Sequence, residues 1–255
     1  MTGFALSRRR LVGGLAATAG GIALSGCDRI NRSPLMQDVL AGGETLTRQA
    51  QRLVIDRNAL AQEFSAADMS PVFRMNGNRA VADPAWNALA AGGFANWRLR
   101  VDGLVARPLD VSLAQLKAMP ARTQITRHDC VEGWSAIGQW TGTSLALLLK
   151  AAGLRASARY IVFHCADDFR GIPYYESIDL IDAFHAQTIL AWAMNGAPLA
   201  TGHGAPLRLR VERQLGYKHA KFVARIEAVA SLAGIGRGKG GYWEDVGAYQ
   251  WYGGI

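Results

Sequence analysis

The stretch that decides the fold runs from residue 123 to residue 153: TQITRHDC (123–130), VEGWSAIGQWT (131–141) and GTSLALLLKAAG (142–153). The first piece reads as a strand. The last reads as a helix, apolar at three- and four-residue spacing and stopping at a Gly. Upstream, residues 97–105 (WRLRVDGLV) alternate large and polar residues around a Gly turn, and residues 112–119 form a short helix with Ser112 as its N-cap. Downstream, residues 160–165 (YIVFHC) make a buried strand, and Asp167-Asp168-Phe169-Arg170-Gly171 a turn. Residues 179–183 suit a helix start, and residues 189–194, 207–212 and 222–230 three more strands. Short strands outnumber helices and neither kind segregates, which predicts a mixed α+β domain with no βαβ alternation. No internal repeat is visible. The glycines of GRGKGG (236–241) open no helix, so they do not read as a phosphate loop.

The 255 residues are 50% apolar and 19% charged, enough to fill a sizeable core and incompatible with disorder or a fibre. The formal charge is +8, but three of the positives are Arg8, Arg9 and Arg10. The other cations are scattered, which argues against nucleic-acid binding and suits a pocket for an anionic ligand.

Those three arginines open a signal peptide. Residues 11–24 (LVGGLAATAGGIAL) are mildly apolar and span only about 21 Å as a helix, short of the roughly 30 Å hydrocarbon core of a bilayer. Ser7-Arg8-Arg9-Arg10-Leu11-Val12 resembles the twin-arginine export signal, and Leu24-Ser25-Gly26-Cys27 resembles a lipobox. The expected organisation is a twin-arginine signal peptide with lipobox (1–26), a tether and leader with one helix over 44–64 (27–70), and one folded domain (71–255). Cys27 then anchors the protein by lipid to the periplasmic face of the inner membrane. The remaining cysteines, Cys130 and Cys165, read in an oxidising compartment either as a disulfide or as soft metal ligands.

Sequence context weighs between these. Cys130-Val131-Glu132-Gly133-Trp134-Ser135, followed by Trp140-Thr141-Gly142 and a Leu-rich helix, resembles the molybdenum-cofactor segment of the sulfite oxidase family. The nearest likeness is to its periplasmic branch of molybdenum-dependent methionine-sulfoxide reductases. Further landmarks recur in order: Ile172-Pro173-Tyr174-Tyr175-Glu176-Ser177, Asn195-Gly196-Ala197-Pro198-Leu199, His203-Gly204-Ala205-Pro206-Leu207-Arg208 and Gly216-Tyr217-Lys218-His219-Ala220-Lys221-Phe222. The resemblance implies a mixed-sheet molybdopterin-binding fold of the sulfite oxidase type, here without a haem domain and without the C-terminal immunoglobulin-like domain.

It also implies a molybdenum-molybdopterin cofactor, with Cys130 as the thiolate ligand of the metal. Arg208, His219, Ala220 and Lys221 map onto the residues that hold the cofactor's phosphate, His203 onto a pterin-contacting position, and Cys165 onto a position where the reductases have a cofactor-contacting Thr. Asn76 is the candidate for the upstream Asn. His128, two residues before Cys130 on an extended chain, projects to the same face as the Cys and is a candidate for the chemistry. Tyr174 matches an aromatic position near the substrate pocket.

The expected activity is oxygen-atom transfer on a small sulfur- or nitrogen-centred oxide, with a membrane cytochrome as electron partner and the protein a monomer. An oxidase pocket for a dianion would gather arginines, for which Arg127, Arg170 and Arg213 are candidates. Two rival readings are a periplasmic zinc or copper protein using His128, Cys130, His164 and Cys165, and a binding lipoprotein that keeps the fold without the cofactor. Adjacent strand residues face opposite ways, which counts against His164 and Cys165 sharing one ion.

Overall fold

A computed structural model describes residues 33–255, so the expected signal peptide and Cys27 lie outside the described residues. The chain divides into two compact units with a boundary after Val54. The described part of the first is helix α1 (Pro34–Val54). It begins ten residues before the expected helix and runs through Gly42 and Gly43, where a Cβ would meet nothing within 4 Å. Two glycines weaken a helix by only about 1 kcal/mol each relative to Ala, so they need not end one. No helix among the described residues is long and apolar enough to cross a membrane.

The second unit begins with an irregular segment bonded to the domain itself: the Phe64 N–H donates to Ile125 O (2.9 Å) and the Ser70 N–H to Ile137 O (3.0 Å). After α2 (Pro84–Ala91) come β1 (Arg98–Gly103), β2 (Leu109–Ser112) and α3 (Leu113–Ala118), which Ser112 caps through a hydrogen bond from Gln115 N–H (3.1 Å) as expected. The deciding stretch forms β3 (Ala121–Cys130), β4 (Trp134–Ser144) and α4 (Leu145–Ala152), which Gly153 closes in the left-handed conformation (φ 70°). Then follow β5 (Tyr160–Phe169), β6 (Ile172–Asp179), α5 (Leu180–Ala183), β7 (Ile189–Met194), β8 (Ala197–Pro198), β9 (Arg208–Arg210), β10 (Val223–Val229) and α6 (Tyr242–Gly247).

These strands make two sheets. One has the order β2-β1-β10-β5-β6 and is antiparallel except where β1 lies parallel to β10. The other has the order β3-β4-β7-β8, with β9 also paired to β7. A core of Trp97, Leu99, Leu148, Phe163, Leu207 and Phe222, each at most 2% exposed, accompanies them. The architecture is the expected mixed α+β one. It departs from expectation around Asp167 and Asp168, which continue β5 so that the chain turns only at Arg170 and Gly171 (φ 55° and 80°).

One face of β3 is unusual. Alternation buries Gln124, Thr126 and His128 instead of apolar residues. Buried polar groups are held only where partners are supplied, and β9 and the segment after it supply them: Gln124 donates to Glu212 (2.8 Å), and Arg210 to Glu212 (2.9 and 2.5 Å). This polar wall ends at Cys130.

Candidate active site at the end of strand β3

Cys130 is the last residue of β3, and a tight turn through Gly133 (φ 83°) brings the chain back so that Trp134 pairs with it. Its thiol is half-buried, and burial pushes its pKa up. It faces a cavity of about 130 Å3 whose polar lining includes Asn76, Asn78, Asp167, His219 and Lys221. Phe169, Tyr174, Tyr217, Trp243 and Tyr249 make the rest of the wall largely aromatic. Val131 and Glu132 also line it and are exposed, so the cavity opens beside the Cys130 turn.

Beside the cavity lies a set of cations, of which Arg208 and Lys221 form no ion pair among the described residues. Arg208, the first residue of β9, is fully buried, yet it donates only to the carbonyls of His203 (3.1 Å) and His219 (3.5 Å). Its guanidinium and that of Arg210 lie 4.9 and 4.4 Å from the centroid of Trp140. Arg210 is neutralised by Glu212, whereas no carboxylate among the described residues forms an ion pair with Arg208. Burial and the neighbouring Arg210 charge pull the Arg208 pKa down to about 9. Lys221 donates to the carbonyls of Asn76 (2.7 Å), Asn78 and Gly202 (2.9 Å), which fastens the loop carrying Asn76 to the site. Burial and Arg208 pull Lys221 down to about 7. His203 falls to about 4 through burial and then Arg208, and burial keeps His128 and His219 neutral as well.

This set tests whether the residues fit a pterin with a phosphate tail. Four of its buried nitrogens have no hydrogen-bond partner among the described residues: His128 Nε2, His203 Nδ1, Arg208 Nε and His219 Nδ1. Buried polar atoms are rarely left unpaired, and a concentration of them among uncompensated cations is the environment that a polar, anionic ligand completes. A soft thiol stands at the neighbouring cavity, as a soft metal requires. The residues fit the group.

The structure places Cys130, Asn76, Tyr174, His219 and Lys221 around one cavity, with His203 and Arg208 linked to it through Lys221 and His219. His128 stands behind the lining. Its ring centroid is 5.0 Å from that of His219, and its Nδ1 lies 3.0 Å from Arg210. Gly216 gives it room, since a Cβ there would collide with His128 Nε2. Ala220 contributes its backbone, accepting from Leu209 N–H (2.8 Å) and donating to Lys218 O (3.1 Å).

Cys165 sits on β5 beside a second cavity of about 470 Å3, which shares Tyr174 with the first. Both Cys130 and Cys165 are free thiols, so the disulfide reading falls. His164 is engaged by Glu227 on β10 (2.8 Å), and the four residues of the small-metal reading form no common site. Arg127 pairs with Asp129 and Arg213 with Asp182; neither these nor Arg170 lines the cavity.

Sequence reasoning missed Asp167, Phe169, Trp243 and Tyr249. The first two lay in a segment read as a turn. Residues 243 and 249 carried no motif, because their place depends on the tail returning through a hydrogen bond from Leu215 N–H to Gly253 O (2.7 Å).

A sequence model of the oxidoreductase molybdopterin-binding domain matches residues 88–233. A candidate protein-methionine-sulfoxide reductase subunit of Azospira oryzae, YedZ1, is 36% identical over 93% of this chain and 84% of its own length. The protein-methionine-sulfoxide reductase catalytic subunit MsrP of Xanthomonas campestris is 35% identical over 53% of this chain, which spans about half (46%) of that relative. Among solved structures, the sulfane dehydrogenase SoxCD of Paracoccus pantotrophus aligns with a TM-score of 0.49 at 23% identity, over 54% of this chain and 39% of that one. With more than half of its length matched by the family model and nearly all of it aligned to a relative, this chain belongs to the oxidoreductases that carry the molybdopterin-binding domain.

Proposed function

We propose that this oxidoreductase reduces sulfoxides, taking electrons from a separate membrane cytochrome. The observation that carries the reading is the composition of the Cys130 cavity: five aromatic rings, two Asn amides, His219, a single Lys and two carboxyl side chains, Glu132 and Asp167, with no arginine. A sulfoxide is neutral, with apolar substituents that aromatic walls accept and one polar oxygen that a few donors orient. A sulfite dianion in the same cavity would lack the fixed charges that such an ion requires when it leaves water. The relatives named above as methionine-sulfoxide reductase subunits support the same substrate class.

Bound here, a molybdenum held by a pterin dithiolene supplies exchange of an oxygen atom coupled to two electrons. Cys130 provides the thiolate, and the charge of the metal favours loss of the proton that burial otherwise retains. Arg208 and Lys221 bind the phosphate, while His203, His219, Asn76, the Ala220 backbone and Cys165 contact the rest of the cofactor. His128 acts through His219 as a positioning residue. The aromatic wall excludes water from the reacting oxygen, and Tyr174 stands among the groups within reach of it.

We place the domain in the periplasm, exported folded through Arg8 and Arg9 and held as a monomer at the inner membrane by lipid on Cys27. Cys27→Ser should release active protein into the soluble periplasmic fraction; retention on salt-washed membranes would remove the anchor. The function is tested by assaying the holoenzyme with a reduced dye against sulfoxides and with an oxidant against sulfite. Turnover of sulfoxides is expected. Sulfite oxidation without sulfoxide turnover would overturn the reading.

A further inference from the structure

Behind the cavity wall lies a charge cluster that the oxidoreductase chemistry described above does not use. Lys218 Nζ is fully buried between Glu176 on β6 (2.7 Å from Oε2) and Glu244 on α6, both at most 1% exposed. Two carboxyls thus share one ammonium. Glu176 Oε2 is the oxygen ion-paired with Lys218, whereas Glu244 Oε2 has no hydrogen-bond partner among the described residues. Both Oε2 atoms face Gly241, where a Cβ would collide with each. Two carboxylates meeting out of water with a single ammonium between them are not both neutralised and repel, so one of the pair keeps a proton.

Tyr174 says which. Its hydroxyl lies 3.0 Å from Tyr217 O and 3.3 Å from Glu176 Oε1. It has one proton for two neighbours, and a carbonyl cannot donate. The carbonyl is the nearer acceptor, so the Tyr174 hydroxyl gives its one proton to Tyr217 O, and the longer contact is a bond it takes from a protonated Glu176. The remaining groups point the same way. Cys165 and Asp167 on β5 add no positive charge, and burial followed by the Glu244 charge holds the Glu176 carboxyl well above the usual range.

We propose that Glu176 is a buried proton store which, through Tyr174, feeds the Cys130 cavity with one of the two protons that sulfoxide reduction consumes. The inference rests on the sulfoxide reading. Overall, one sulfoxide, two protons and two electrons give one sulfide and one water, with the electrons entering from the external haem or dye donor through the cofactor. The Tyr174 hydroxyl, which lines the cavity, turns from Tyr217 O towards the substrate and breaks its O–H bond as the oxygen leaving sulfur gains one. Glu176 returns a proton to the tyrosine oxygen, the second proton comes from water at the open side of the cavity, and the carboxyl pair is refilled from solvent.

The test uses holoenzyme with a reduced dye, Glu176→Gln and Tyr174→Phe, read by pH profile and by infrared difference spectroscopy between oxidised and reduced states. In wild type a protonated-carboxyl C=O band is expected, with kcat falling on the alkaline side. In Glu176→Gln the band should vanish, kcat should drop about a hundredfold at and below neutral pH with KM and molybdenum content unchanged, and the alkaline fall should disappear. Tyr174→Phe should lose kcat similarly while keeping the band, so it decides the matter if Glu176→Gln does not fold. A wild type without the band, a band that survives in Glu176→Gln, or normal turnover in either variant would overturn the proposal. If wild type reduces no sulfoxide, it is the functional reading that fails, and the band still decides whether Glu176 holds a proton.

Discussion

Lys218 and Lys221 are three residues apart in one loop, both buried, and opposite in circumstance. Burial pulls both pKa values down, but Glu176 and Glu244 more than restore Lys218, which ends above the ordinary lysine value. Lys221 donates only to carbonyls among the described residues, the nearby Asp167 raises it too little to offset burial and Arg208, and it ends near 7. A buried cation whose charge is answered within the chain is part of the structure, whereas one whose charge is unanswered is waiting for a ligand. The same contrast divides Arg210, paired with Glu212, from Arg208, paired with no carboxylate among the described residues. Lys218 and Lys221 of the GYKHAK loop therefore fall on opposite sides.

The contrast can be broken or sharpened by substitution. The largest effect is expected at the cavity, on activity alone: Cys130→Ser exchanges a soft donor for a hard one at nearly equal volume. Turnover should fall at least about a thousandfold, or about 4 kcal/mol of transition-state stabilisation, while the thermal midpoint and pterin content stay as in wild type. Near-normal turnover would remove Cys130 from the metal.

On the structural side, Lys218→Met strips two buried carboxyls of their ammonium and should cost about 3–5 kcal/mol in urea unfolding, irrespective of cofactor. If the cost appears only with cofactor bound, Lys218 belongs with Lys221 and the division collapses. Arg208→Met keeps the length and removes the charge. It should weaken pterin retention about ten- to a hundredfold, or about 1.5–3 kcal/mol, without lowering the midpoint of protein made in a host that lacks the cofactor. Cofactor content by mass spectrometry reads the first effect and calorimetry the second.

The smallest effect is a slope. Lys221 has a folded pKa near 7 against an ordinary 10.5, so between those values the unfolded chain binds more protons and stability rises with pH. Cofactor-free protein should gain stability as the pH is raised from 7 towards 10. The slope should be absent in Lys221→Met and reduced when bound phosphate keeps the lysine charged.

Much of this was legible beforehand. The 3.6-residue period marked α4 and Gly153 its end; alternation marked β3 and with it the shared face of His128 and Cys130. The resemblance named Arg208 and Lys221. Less legible was Ile172–Asp179, which reads as a motif rather than as strand β6, because its buried Tyr174, Tyr175, Glu176 and Ser177 show no alternation of apolar and polar residues. Helix α1 was read late, since Gly42 and Gly43 look like breaks and cost little on an exposed surface.

By itself, the sequence determined the periodicities that make the elements, the soft donor at the end of a strand and the excess of cations. Those properties are local, set by residue type and by spacings of two to four. Only the tertiary structure decided that Lys218 would be answered and Lys221 would not. Glu244 comes from a helix 26 residues further on and Glu176 from another strand, and an ion pair is set by distance in space, about which neighbours along the chain carry no information.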